Sequence, residues 1–152
     1  MTMFKNILFS TDFSENARAA VPIAVDLAKK YGAKLHIVHV YPEAGHIAEF
    51  EAPVHGEIGA LMVQPAGTET ERKLDALCQE VSFEVGSCKS KLLRGKPDTE
   101  IVRYAKEENI DLIVMSSHGL SGLEHALFGS TAERVLRECQ CNVFIVKNVP
   151  HG

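Results

Sequence analysis

The chain has 152 residues, 45% hydrophobic and 24% charged, with a formal charge of −4. That suits one globular domain, residues 1–152, with a core large enough to fold without staples. The absence of a basic stripe argues against nucleic acid as the main partner, and no apolar run approaches the roughly 20 residues needed to span a bilayer. The apolar stretch after Met1 is also short for a secretory core, so a cytoplasmic location is expected.

Strand and helix patterns alternate along the chain. Asn6 to Ser10 is a short apolar run, as in a parallel strand covered on both faces. Asp12 or Ser14 then caps a helix whose apolar positions, Ala17, Ala20, Val21, Ala24, Val25 and Ala28, recur at helical spacing. Pro22 inside it predicts a bend or a later start, and Gly32 suits a left-handed end. Leu35 to Tyr41 is the second strand. His36 and His39 stand three apart in it, on opposite faces, and so cannot share a metal.

Residues 42–67 are irregular and rich in Pro and Gly, a length of loop that is functional or mobile in compact domains. His46 and His55 there are expected at the surface. Thr68 to Val85 is an amphipathic helix with Leu74, Leu77, Cys78 and Val81 on one face. Ser90 to Leu93 is a short strand. Pro97, with Asp98 and Glu100 in the positive first turn, opens a helix that runs to about Asn109. Leu112 to Met115, the most apolar run, is a central strand; Ser130 to Glu138 is a helix and Asn142 to Lys147 the last strand.

Five strands and four helices in βαβ order predict an α/β fold, a parallel sheet flanked by helices on both faces. Ligands in such sheets bind beyond the carboxyl ends of the strands where strand order reverses. That rule points to the loop Ser10-Thr11-Asp12, to Val40-Tyr41 and to the loop after Met115. After Met115, small residues and hydroxyls crowd the chain, and Gly119 and Gly122 permit tight turns. Gly129-Ser130-Thr131 then opens a helix whose free amides and dipole favour phosphate. Each feature alone is equally an ordinary turn or cap, and Asp12 is equally a simple helix cap.

The four cysteines, Cys78, Cys88, Cys139 and Cys141, are expected as unpaired thiols near a helix end and a strand start. A redox or metal role is the lesser alternative, since Cys139 and Cys141 are spaced Cys-x-Cys. His118 lies in the candidate loop without an orienting partner in sequence, and is expected to structure the loop or lie at the surface. No Gly-x4-Gly-Lys-[Ser/Thr] loop and no Gly-x-Ser-x-Gly elbow occurs.

The stretch IVMSSHGLSG from Ile113, with LFGSTAERVLRECQCNVFIVK ending at Lys147, resembles the C-terminal signature of the universal stress protein family. The opening FKNILFSTDFSENA from Phe4 resembles its first strand and turn. Gly119, nine residues, then Gly129-Ser130 match the family's Gly-x2-Gly-x9-Gly-[Ser/Thr] pattern, with Ser116 where the first glycine stands. Serine there restricts φ and adds a hydroxyl.

The resemblance implies an adenine nucleotide alpha hydrolase-like, Rossmann-like sheet in strand order 3-2-1-4-5. It implies an ATP-binding regulatory homodimer, without dedicated catalysis, that acts on a protein partner not named by the sequence. Thr11, Asp12, Val40 and Met115 would line the adenosine end. Ser116 and Gly119 would face ribose and phosphates, and Gly129, Ser130 and Thr131 the polyphosphate. Mg²⁺ would bridge the phosphates, and the last strand, Val143 to Val146, would pair across the two-fold. Two other readings remain: a slow ATPase or nucleotidyl-transfer enzyme at the same site, and an interaction protein in which Ser116 marks a lost nucleotide site.

Overall fold

The computed structural model describes residues 3–42, 69–118 and 128–147. Strands β1 (Asn6–Ser10), β2 (Lys34–Tyr41), β3 (Cys88–Arg94), β4 (Leu112–Ser116) and β5 (Asn142–Val146) form one sheet in the order β3-β2-β1-β4-β5. Every pairing is parallel. Helices α1 (Glu15–Tyr31), α2 (Glu69–Val85), α3 (Pro97–Glu107) and α4 (Ser130–Glu138) alternate with the strands. The order reverses at β1, which has β2 on one side and β4 on the other, so the predicted topology and its switch point are both present.

Strand side chains point alternately to the two faces, and each face carries its own apolar core. On the first, Ile7, Phe9, Leu35, Ile37 and Val114 pack with Ala20, Ala24 and Ala28 of α1 and Leu74 and Val81 of α2. On the second, Leu8, Val38, Val40, Ile113 and Met115 pack with Ile101 and Tyr104 of α3 and Ala132 and Val135 of α4. Alanines on α1 let its backbone approach the sheet closely. Phe9, level with Ile37 and Val114 on its neighbours, sits at the centre.

Helix ends follow the local chemistry. Ser14, not Asp12, caps α1: its Oγ accepts from the Ala17 N–H at 3.1 Å, while Asp12 Oδ1 accepts from the Ser14 N–H at 2.9 Å. Gly32 closes α1 at φ 62°. The later helix start expected from Pro22 does not occur, because α1 begins at Glu15 and runs through it. Pro22 and Arg18 both lie on the exposed face. A proline costs the carbonyl four residues earlier its N–H partner, a loss that is smaller where water can replace it. Asn109 makes the predicted turn after α3 at φ 54°. β3 is longer than the expected Ser90 to Leu93, and β5 stops one residue before Lys147.

His36 and His39 take opposite faces, as the strand period requires. His36 is buried beside α3, with Nδ1 2.9 Å from the Tyr104 hydroxyl and Nε2 3.3 Å from Asn6 Oδ1. The Asn6 oxygen only accepts, so Nε2 carries the proton and Nδ1 accepts from Tyr104; the neutral ring satisfies both contacts. Burial first, then the nearby charge of Lys34, lowers His36 to about 4, against the opposing pull of Glu108.

Candidate functional site

The carboxyl ends of β1, β2 and β4 lie side by side. Ser10 pairs with Val38 of β2, and Phe9 pairs with Val114 of β4. Five of the residues singled out from sequence therefore gather on this one edge: Thr11 and Asp12 after β1, Val40 near the end of β2, and Met115 and Ser116 at the end of β4. Val40 and Met115 are buried in the same apolar cluster.

The turn after β1 is tied down atom by atom. The Thr11 N–H donates to the Val38 carbonyl at 2.9 Å, and Thr11 Oγ1 accepts from the Phe13 N–H at 3.0 Å. Phe13 is held at φ 64°. A bulky side chain seldom takes that left-handed backbone, and surrounding contacts must hold it there. Its ring lies 4.9 Å from the His39 ring, and Lys73 Nζ stands 6.0 Å over it. His39 Nδ1 lies 2.8 Å from the Thr11 carbonyl oxygen, which only accepts, so Nδ1 carries the ring proton. Burial lowers the His39 pKa, with the Thr11 carbonyl and the Asp12 carboxylate opposing.

This brace of Phe13, His39 and Lys73 was missed from sequence. Positive φ at a phenylalanine leaves no compositional trace, and the three residues come from separate elements.

Two further elements meet at Gly129. Its N–H donates to the Ser117 carbonyl at 2.7 Å, and the Ser117 N–H donates to Val146 of β5 at 2.9 Å. A β-carbon at 129 would stand 3.2 Å from the Ser117 oxygen and 3.6 Å from His118 Cα. Any side chain there would have to push the end of β4 back by a few tenths of an ångström. Gly129 is the N-cap of α4 and brings no capping side chain. The amides of Ser130 and Thr131 at the head of the helix thus need partners from outside it, with the positive end of the dipole behind them.

Ser116 does not take positive φ. Serine is accommodated there as ordinary strand backbone, and its Oγ donates to the His118 carbonyl at 3.0 Å. Ser117 Oγ lies 3.1 Å from His118 Nδ1. His118 is thus bound into its own loop through both ring and carbonyl, in keeping with a loop-structuring role. Gly119, like His46, His55 and residues 43–68, lies outside the described residues. Among the described residues, no group of three or more His, Cys, Asp or Glu is placed to hold a metal. None of the described helices is long and apolar enough to cross a membrane.

Comparison with known proteins agrees with this architecture. The universal stress protein family profile matches residues 3–147. Universal stress protein MJ0531 of Methanocaldococcus jannaschii is 31% identical over 147 residues, which cover 95% of this chain and 83% of that protein. The structure of the universal stress protein UspA from Lactobacillus plantarum superposes with a TM-score of 0.77 at 25% identity, covering 94% of this chain and 97% of that one. A universal stress protein from Archaeoglobus fulgidus in complex with dAMP shares the fold at a TM-score of 0.65 and 20% identity, covering 95% and 99%. With strand order and the profile match in agreement, the chain belongs to the universal stress protein family.

Proposed function

We propose that this chain is an ATP-binding regulatory module, working as a cytoplasmic homodimer that a protein partner reads. One observation carries the reading: the hydrogen bond from Gly129 to Ser117 sets the head of α4 against the carboxyl end of β4, beside the β1 turn. Adenine would lie on Val40 and Met115, with Thr11 and Asp12 fixing base or ribose. Ser116 would stand near the ribose, and Gly119 would extend that contact. Ser130 and Thr131 would supply amides and hydroxyls to the phosphates. Gly129, whose own amide is engaged, would act by closing the junction.

The dAMP complex of the same fold supports an adenine ligand. Asp12 and the hydroxyls of Ser130 and Thr131 are hard oxygen donors of the kind Mg²⁺ takes, but they are too few for a protein cage. The ion would therefore be held mainly by phosphate oxygens and water. β5 is an outer strand with Phe144 41% exposed, a sheet edge suited to a second copy.

The test is to denature freshly purified protein, identify released nucleotide by chromatography and mass, and then incubate the native protein with Mg-ATP. Stoichiometric binding without product is expected. Steady phosphate release abolished by Ser130→Ala or Asp12→Asn would replace this reading with an ATPase. If only Ser116→Gly protein binds nucleotide, the native chain is a non-binder.

A further inference from the structure

The four cysteines are free, yet they stand as two close pairs. Cys139 and Cys141, with sulfurs 2.9 Å apart, are two residues apart in one turn, where the chain itself imposes nearness. Cys78 and Cys88 are different: one is on α2, the other opens β3, and their sulfurs are 2.8 Å apart.

The packing of α2 on β3 produces this second meeting. Gly86, at φ 79°, and Ser87 reverse the chain, so α2 lies back over the strand that follows it. Asp75 and Cys78 share a helix face at i, i+3, and Cys88 and Ser90 share a strand face at i, i+2. The faces meet in two rungs, Ser90 Oγ donating to Asp75 Oδ1 at 2.7 Å and Cys78 facing Cys88. Leu74 and Val81 anchor the same helix in the core. A disulfide needs its sulfurs at about 2.05 Å, so closure asks for a movement of less than an ångström between elements already in register. Both cysteines are half-buried, open enough for a small reagent.

We propose that Cys78 and Cys88 form a reversible dithiol–disulfide site whose oxidant is a peroxide. The Cys78 thiolate, its proton gone to solvent, attacks one peroxide oxygen. The O–O bond breaks, hydroxide leaves and takes up a proton as water, and Cys78 becomes a sulfenic acid. The Cys88 sulfur then attacks the Cys78 sulfur. The S–S bond forms, the S–O bond breaks, and the departing hydroxide leaves as water with the Cys88 proton. Two thiols have lost two electrons and two protons, and one peroxide has become two waters.

Burial, then the hydrogen bond and charge of Cys78, pushes the Cys88 thiol well up, which leaves Cys78 as the sulfur that meets peroxide first. The bond would staple the middle of α2 to the edge strand β3, at the end of the sheet opposite the nucleotide loops.

Both cysteines fall on one tryptic peptide, residues 74–89, and the second pair falls on another, residues 138–147, so each pair reports separately. Native protein is treated with hydrogen peroxide, alkylated, digested and weighed. The expected result is a 74–89 peptide about 2 Da lighter, carrying no alkyl group and restored to two alkylated cysteines by dithiothreitol. In Cys78→Ser protein the resistance of Cys88 to alkylation is lost. Two alkylated cysteines after peroxide would overturn the proposal, as would sulfinic acid on either sulfur or linkage of these cysteines between chains.

Discussion

Replacing Gly129 with valine is expected to weaken ATP binding by about tenfold or more, a loss of roughly 1.4 kcal/mol or above. Gly129 has φ −68°, a conformation open to every residue, so backbone strain plays no part. The effect is steric. The new β-carbon would meet the Ser117 carbonyl oxygen at 3.2 Å, and the branched methyls would reach towards His118. Relief requires α4 to back away from β4, which stretches the 2.7 Å hydrogen bond from Gly129 to Ser117 and carries Ser130 and Thr131 with it.

Overpacking at such a junction costs about 1–3 kcal/mol of fold stability, so the variant should remain folded. Gly129→Ala should fall between it and the native protein. Calorimetric titration with Mg-ATP measures the affinity, and urea unfolding measures the stability. Native affinity in the valine variant would separate this junction from the ligand site.

The second large effect concerns acid. His36 is buried neutral, and its folded pKa of about 4 lies below the ordinary 6.5. A group depressed in the folded state contributes stability that is fully present above its unfolded value. That contribution is lost as pH falls from 6.5 towards 4, because the unfolded chain takes up the proton more readily. The loss comes to about 2 kcal/mol between pH 7 and pH 5, and about 3 kcal/mol by pH 4.

A protonated ring would also present two donors, whereas Tyr104 now donates to Nδ1. In His36→Gln protein the stability at pH 7 drops, since Tyr104 and Asn6 lose a well-placed partner. The steep fall between pH 7 and pH 5 flattens by the same roughly 2 kcal/mol relative to the native chain. Urea midpoints at the two pH values check this; parallel slopes for the two proteins would mean that His36 does not govern the acid response.

Much of the fold was legible because its signals are local. Short apolar runs such as Leu112 to Met115 separated by helical spacing fix the βαβ order, and a glycine such as Gly32 marks a helix end. Choosing between Ser14 and Asp12 as the cap needed geometry, since both residue types serve either role and lie two positions apart. Pro22 suggested a bend or a later start, and α1 instead begins at Glu15 and runs through it, because the cost of an internal proline depends on its surroundings in the whole helix. At the site, Gly129 was legible as the opening of a helix, but its closeness to Ser117 depends on how far α4 advances on β4. The Phe13 brace and the meeting of Cys78 with Cys88 arise between elements distant in pattern, so neither spacing nor composition announces them.

If the chain binds ATP as proposed, the head of α4 and the end of β4 present one polyphosphate surface beside the β1 turn. A crystal structure of the protein with ATP and Mg²⁺ tests it directly. Phosphate oxygens are expected within hydrogen-bonding distance of the Ser130 and Thr131 amides, with the adenine against Val40 and Met115. Nucleotide bound elsewhere, or those amides turned from the phosphates, would contradict it.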